Sequence, residues 1–206
     1  MDNNEVNTEQ VILEAAETEF LEKGYGNAKM VAIAKRAGVN HSMLHYYFRS
    51  KEQLFQKIFK DKVQAITQMF NMVFEQNVSF TETLQLLIET QFRFLAQNQQ
   101  LPMFIIREIL SNKENREWAI KTLLPHLSPF LSAIVKMLNA EIAKGTIRPI
   151  AIHNLLMNIL SINISTFIAL PVLKENLNFE NKEMLENFLN ERCESNVQFI
   201  LNAIKN

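Results

Sequence analysis

Cysteine is almost absent from this chain: Cys193 is the only one in 206 residues. A single thiol excludes an intrachain disulfide framework and points to a reducing compartment, the cytoplasm. Glycine is scarce too, with four in the chain. Three of the four glycines (Gly24, Gly26, Gly38) fall in the first 38 residues, and no glycine-rich phosphate loop is formed. Proline is missing before residue 100; Pro102, Pro125, Pro129, Pro149 and Pro171 all lie beyond it. A net charge of −1 excludes a protein that coats nucleic acid indiscriminately. Strand-like alternation is lacking too, so the whole chain reads as α. The opening MDNNEVNTEQ has no basic segment or apolar core of a signal peptide. Residues 150–173 approach spanning length, but Asn154, Asn158, Ser161 and Asn163 interrupt them, which predicts a buried helix and no membrane partner. No Ser/His/Asp or Cys/His set has local support, so no catalytic residue and no enzyme is expected. His41 and His45 stand four apart on one expected helix, but two histidines make an incomplete site; no metal and no cofactor is expected.

What is present is a core-forming composition, 48% hydrophobic and 21% charged, with its charges unevenly placed. Residues 1–22 carry only acids, whereas residues 27–62 carry Lys29, Lys35, Arg36, Arg49, Lys51, Lys57, Lys60 and Lys62 against Glu52 and Asp61. A basic patch in a near-neutral protein suits a specific DNA reader. Within that patch, AKMVAIAKRAGVNHSMLHYYF (28–48) predicts two short helices around a three-residue turn. Met30, Ile33, Ala34 and Ala37 give the first helix an apolar face, and Gly38 ends it in a left-handed conformation. Asn40 caps the second, whose Leu44 and Phe48 point inward, leaving His41, Ser42, Met43, His45 and Tyr46 on the surface. A helix-turn-helix with such a second helix is built to enter a major groove. An ordinary helical hairpin is the alternative.

The flanks, ILEAAETEFLEKGYGNAKMVAIAKRAGV upstream and LHYYFRSKEQLF downstream, make the N-terminal part resemble the DNA-binding domain of TetR-family transcriptional regulators. The resemblance covers about Val11 to Phe59 and rests on Ile12, Ala15, Ala16, Phe20, Gly24, Tyr25, Ile33, Ala34, Gly38, Val39, Leu44, Tyr46, Tyr47, Phe48, Lys51 and Leu54 in register. Its departures are local: the family usually has Ser or Thr where Ala28 and Lys29 stand, Lys or Arg at His41, and Tyr at His45. The resemblance implies an all-α homodimer that binds a palindromic double-stranded operator, usually as a repressor. It implies DNA contacts from Lys29, Asn40, His41, Ser42, Met43, His45, Tyr46, Tyr47 and Lys51. Rival functions are a DNA-binding protein of this fold governed by a protein partner or by no ligand, and an enzyme of small apolar substrates.

Punctuation sets the organisation: a helix-turn-helix domain over 1–50 and a helical regulatory and dimerisation domain over 51–206, joined by helix 4. Asn7 with Gln10, Ser50 with Gln53, and Ser79 with Glu82 read as capping boxes opening helices 1, 4 and 5. Pro102 suits the first turn of helix 6, and Pro125 and Pro129 are expected to break or kink the next, with Ser128 capping a new helical segment beyond them. Helix 8 is expected over about 150–172 and helix 9 over about 180–205. Both carry more apolar surface than one neighbour covers, which predicts a dimer interface from Leu156, Phe167, Leu185, Phe188, Leu189, Val197 and Leu201. The Phe- and Met-rich helices 5 to 8 read by themselves as core, and the resemblance implies that they enclose a pocket for a small apolar or amphipathic effector. Its candidate lining is Gln91, Phe94, Met103, Phe104, Trp118, His126, Phe130 and Asn158.

Overall fold

The computed structural model describes residues 3–110, 113–176, 179 and 181–206. Among them the regular structure is all helical, with no strand: α1 (Asn3–Asn27), α2 (Met30–Ala37), α3 (His41–Tyr47), α4 (Lys51–Glu75), α5 (Phe80–Gln97), α6 (Leu101–Phe104), a π-helical turn (Ile105–Leu110), α7 (Lys113–Ala143), α8 (Ile152–Asn176) and α9 (Lys182–Ile204). These divide into two compact units, one of residues 1–65 and 104–122, the other of residues 66–103 and 123–206.

The first unit is built on α1, α2 and α3. Ile12, Ala16, Phe20, Ile33, Leu44 and Leu54 are sealed from solvent, and Phe20, Tyr25 and Phe55 meet with ring centroids 4.9–6.0 Å apart. Each such aliphatic or aromatic side chain contributes about 1.5–3 kcal/mol by leaving water. Arg36 of α2 ties the helices together from outside, donating to Glu22 at 2.7 Å and Glu19 at 3.4 Å. α1 begins at Asn3, so Asn7 lies inside the helix rather than at its cap, and the Asn7 side chain falls outside the described residues. The helix breaks at Gly24 (φ 79°, ψ 156°), a backbone that costs other residues strain.

In the second unit, one core gathers Phe80, Leu84, Ile88, Leu138, Leu155 and Ile200; another gathers Phe92, Phe167, Leu170, Leu189 and Cys193. Burial, reinforced by the negative charge of Glu89, pushes the Cys193 thiol up to about 11, so it packs as an unreactive apolar group. Two asparagines cross this apolar interior. Asn163, fully buried, donates to the Ile88 carbonyl (3.1 Å) and to Gln91 Oε1 (2.9 Å); Asn196, also fully buried, donates to Asn163 Oδ1 (2.9 Å) and the Ile162 carbonyl (3.3 Å). α5, α8 and α9 thus share a polar thread that fixes their register. α8 is long and apolar enough to cross a membrane by length and composition, but one third of its apolar window is buried, through Leu155, Ile159, Phe167 and Leu170.

Helix α7 corrects the expectation of a break. It runs unbroken through Pro125 and Pro129. Both prolines are exposed, so water can reach the backbone they disturb. Pro129 cannot donate to the Pro125 carbonyl four residues back, and the Ser128 hydroxyl donates to it instead (3.4 Å). Ser128 therefore repairs the helix rather than capping a new one.

Candidate nucleic-acid interface

Local chemistry fixes the helix-turn-helix. Gly38 takes the left-handed conformation (φ 68°) that ends α2, and Val39 N–H returns to the Ala34 carbonyl. Asn40 then opens α3 by accepting from Met43 N–H at 2.8 Å. Leu44 is fully buried and Phe48 nearly so. The rest of α3 faces outward: His41, Ser42 and His45 are exposed, with Met43 at 43% and Tyr46 at 76% of full exposure. The His41 and His45 rings meet edge to face 4.4 Å apart, and Tyr46 stands at 88° to the half-buried Tyr47. This face offers hydrogen-bonding, aromatic and thioether groups and carries no lysine or arginine. Among the described residues no group of three or more His, Cys, Asp or Glu is placed to hold a metal ion.

The cations divide into two sets. Lys57 pairs with Asp61 (2.7 Å), Lys62 with Glu17 (2.9 Å), and Arg36 with Glu22 and Glu19, so these hold the fold. Lys29, Lys35 and Arg49 are exposed and carry no ion pair among the described residues. Arg49 sits beside the end of α3 and is a phosphate-binding candidate that sequence patterning missed; its signal was the position just past the recognition helix. Lys29 is the N-terminal boundary residue of α2, with extended backbone and no side-chain cap, so its ammonium is left to solvent.

Lys51 is placed differently from a plain phosphate contact. Its ammonium donates to the Gly26 carbonyl (3.2 Å) and the Ala28 carbonyl (3.1 Å), and it stands 4.7 Å from the Tyr25 ring centroid. Two of its three donors close the carbonyl end of α1, which leaves one for a phosphate. Asn40 likewise uses its side-chain oxygen within the cap.

The eight residues expected around an effector belong to both units. Phe104 is buried against Phe55 in the first unit, where Trp118 stacks near Phe59 at 5.1 Å. In the second unit Phe94 is buried, Phe130 packs with Phe70 and Phe74, and Gln91 accepts from Asn163. Met103, His126 and Asn158, expected in the lining, are exposed, and the apolar runs around His126 and Asn158 turn these positions outward. Among the described residues of the second unit the buried polar side chains are Thr83, Asn163, Thr166 and Asn196; the sequence marked Asn163 only as an interruption of an apolar run, and gave no sign that it meets Asn196.

Four of the seven expected interface residues are corrected by their burial. Phe167, Leu189, Val197 and Leu201 are buried within the chain's own cores, while Leu156, Leu185 and Phe188 are only partly covered. On the open faces of α8 and α9 stand Met157, Leu160, Val172, Met184 and Phe199, the last 64% exposed.

Residues 12–58 match the profile of bacterial regulatory proteins of the tetR family. The chain is 27% identical over 145 residues to the HTH-type transcriptional regulator YhgD of Bacillus subtilis, covering 70% of this chain and 74% of that one. It is 30% identical over 107 residues to the fatty acid metabolism regulator protein of the same organism, but spans only 55% of that relative. In fold it is similar to the transcriptional regulator FadR from Bacillus subtilis in complex with stearoyl-CoA (TM-score 0.64, 23% identity, 91% of this chain and 97% of that one).

Proposed function

We propose that this chain is a TetR-family regulator, on the match of residues 12–58 and the likeness to YhgD, and that it acts as a cytoplasmic homodimeric repressor of a palindromic operator, released by an amphipathic effector. The DNA-reading part of this proposal rests on one observation: an exposed α3, without fixed charge, held by a turn and cap on a helix-turn-helix core. The cations without an ion pair among the described residues include Lys29, before α2, and Arg49, just past α3. Lys29 and Arg49 supply phosphate attraction, and His41, Ser42, Met43, His45 and Tyr46 meet base edges, with Met43 suited to a thymine methyl group. Tyr47 and the remaining donor of Lys51 complete the backbone contacts.

Two-fold symmetry follows from the reading of a palindrome, and the partner surface is assigned to the open faces of α8 and α9, with Leu156, Leu185 and Phe188 at its margins. A fatty acyl thioester is the effector class this reading favours, because the chain's relatives include a fatty acid metabolism regulator and a regulator crystallised with stearoyl-CoA. Release requires that the effector bind the DNA-incompetent conformer more tightly; about 100-fold, roughly 2.7 kcal/mol, gives clear induction. Selection of bound duplexes from random DNA, repeated with stearoyl-CoA, tests all parts together. An enriched inverted repeat lost on adding the thioester is expected. Enrichment without symmetry would overturn the dimeric reading, and an inverted repeat indifferent to acyl thioesters would overturn the effector.

A further inference from the structure

A cleft of about 360 Å³ opens in the first unit, where the end of α1 meets the first turns of α4 and α7. Three rings wall it: Tyr25, Phe55 and Trp118. Two carboxylates, Glu52 and Glu114, line it as well, and no lysine or arginine does. Neither carboxylate forms an ion pair among the described residues; Glu52 accepts only from Gln56 (2.9 Å). Gln56 and Asn115 add two amides to the wall.

Two helices begin at the cleft, and each N-terminus carries about half a positive charge. Two full carboxylate charges exceed two half charges. Lys51 stands nearby, but its ammonium faces the Gly26 and Ala28 carbonyls at the negative end of α1, and is balanced there. Burial raises the Tyr25 hydroxyl above its ordinary value, and the negative charge of Glu52 raises it further. The same ring already engages one cation, Lys51, at 4.7 Å from its centroid. Aromatic faces beside carboxylates attract organic cations, through the ring quadrupole and through charge. An acyl thioester, with its phosphates, has the wrong charge for this wall.

We propose that this cleft is a binding site for an organic cation, an ammonium or guanidinium group carried on an apolar or aromatic body. It is separate from the acyl effector and stands whether or not that effector exists. At 360 Å³ the volume lies at the small end of ligand pockets, which suits one ring and a compact head group. Any occupant touches both the closing turn of α1 and the opening turn of α4, and therefore the frame that carries α3.

Trp118 is the only tryptophan and reports the cleft directly. Benzyltrimethylammonium, its uncharged isostere 2,2-dimethylpropylbenzene, and benzenesulfonate are titrated into the full chain by tryptophan fluorescence and by calorimetry. The cation is expected to quench saturably and to bind at least about tenfold more tightly than the isostere, with no saturable response to the sulfonate. The double variant Glu52→Gln, Glu114→Gln should remove that preference. Equal binding of cation and isostere to the unmodified chain, or no saturable quenching by the cation, would overturn the proposal, and both are read without any variant. A preference that persists in a folded double variant, checked by circular dichroism, would overturn it as well.

Discussion

Lys51 has three N–H donors, and the fold engages two of them with the carbonyls of Gly26 and Ala28. Removing it therefore does two things. Lys51→Ala should lower stability by about 1–2 kcal/mol, because two partly covered carbonyls lose a charged donor. It should also weaken DNA binding at every sequence. Lys29 separates these effects. Its backbone has the extended geometry of an N-cap, yet the side chain makes no capping bond. Lys29→Thr supplies a hydroxyl at that cap, so thermal or urea unfolding should show a gain of about 0.5–1 kcal/mol. If Lys29 meets a phosphate, the same variant binds operator less tightly and its salt slope falls by about 0.9. A variant that is more stable and binds as tightly as before would remove Lys29 from the interface. A third residue, Arg107, packs against Gly24, whose positive φ favours glycine. Its guanidinium donates to the Phe20 carbonyl at 3.0 Å, and a Cβ on Gly24 would lie 2.8 Å from Glu108 Oε1 and 3.3 Å from the Arg107 guanidinium carbon. Gly24→Ala should cost about 1–3 kcal/mol, chiefly from the positive φ, since Glu108 can move aside.

At the scale of the element, what was legible was what is local. The Ser79 box forms as its spacing implies: Glu82 N–H donates to Ser79 Oγ, while Glu82 accepts from the Ser79 hydroxyl (2.7 Å) and N–H (3.0 Å). The Ser50 box is half formed, since Gln53 N–H reaches Ser50 Oγ (3.2 Å) but the Gln53 side chain accepts from Arg49 N–H one residue earlier. The α2–turn–α3 segment was readable because Gly38, Asn40 and Leu44 each act within four residues. Lys51 on Gly26 and Arg107 on Phe20 were not readable, since the partners lie 25 and 87 residues away. The π-helical turn bearing Arg107 gives no periodic signal either, its pitch being neither 3.6 nor 2. Glu82 yields a pH test of the box. The Ser79 hydroxyl and backbone N–H hold its carboxyl below the ordinary 4.5. A depressed folded value means a contribution present above the unfolded value and lost as pH falls through the folded one. Ser79→Ala should thus lower the melting temperature at pH 7, and the deficit should shrink as the pH drops below the carboxylate range. A deficit that stays constant down to pH 2 would show that the carboxylate takes no part.

For the whole molecule, the question is which apolar surface is left for a second copy. Sequence patterning saw one broad stripe on α9 and could not divide it, because a helix covered by its own chain and one covered by a partner share a 3.6-residue period. The fold divides it. Val197 and Leu201 join the core with Ile200 and Leu155, at 2% and 7% exposure, whereas Phe199 is 64% exposed on the other side of the same two turns. Met157 and Leu160 are open on α8 in the same unit. A carboxylate at Leu201 would be buried whether or not a dimer forms, so Leu201→Glu should destabilise the chain itself by several kcal/mol. At Phe199 a carboxylate reaches water in the separate chain and loses it only beneath a partner. Phe199→Glu should therefore leave the helical content of the chain intact, shift its sedimentation toward the 23.9 kDa monomer, and weaken operator binding steeply, because one α3 reads a short half-site. Met157→Glu should act likewise if α8 and α9 form one surface. Phe199→Glu and Met157→Glu proteins that still sediment at the wild-type mass would move the interface away from these two faces, and a wild-type chain that sediments as a monomer would leave the apolar surface without a second copy to cover it.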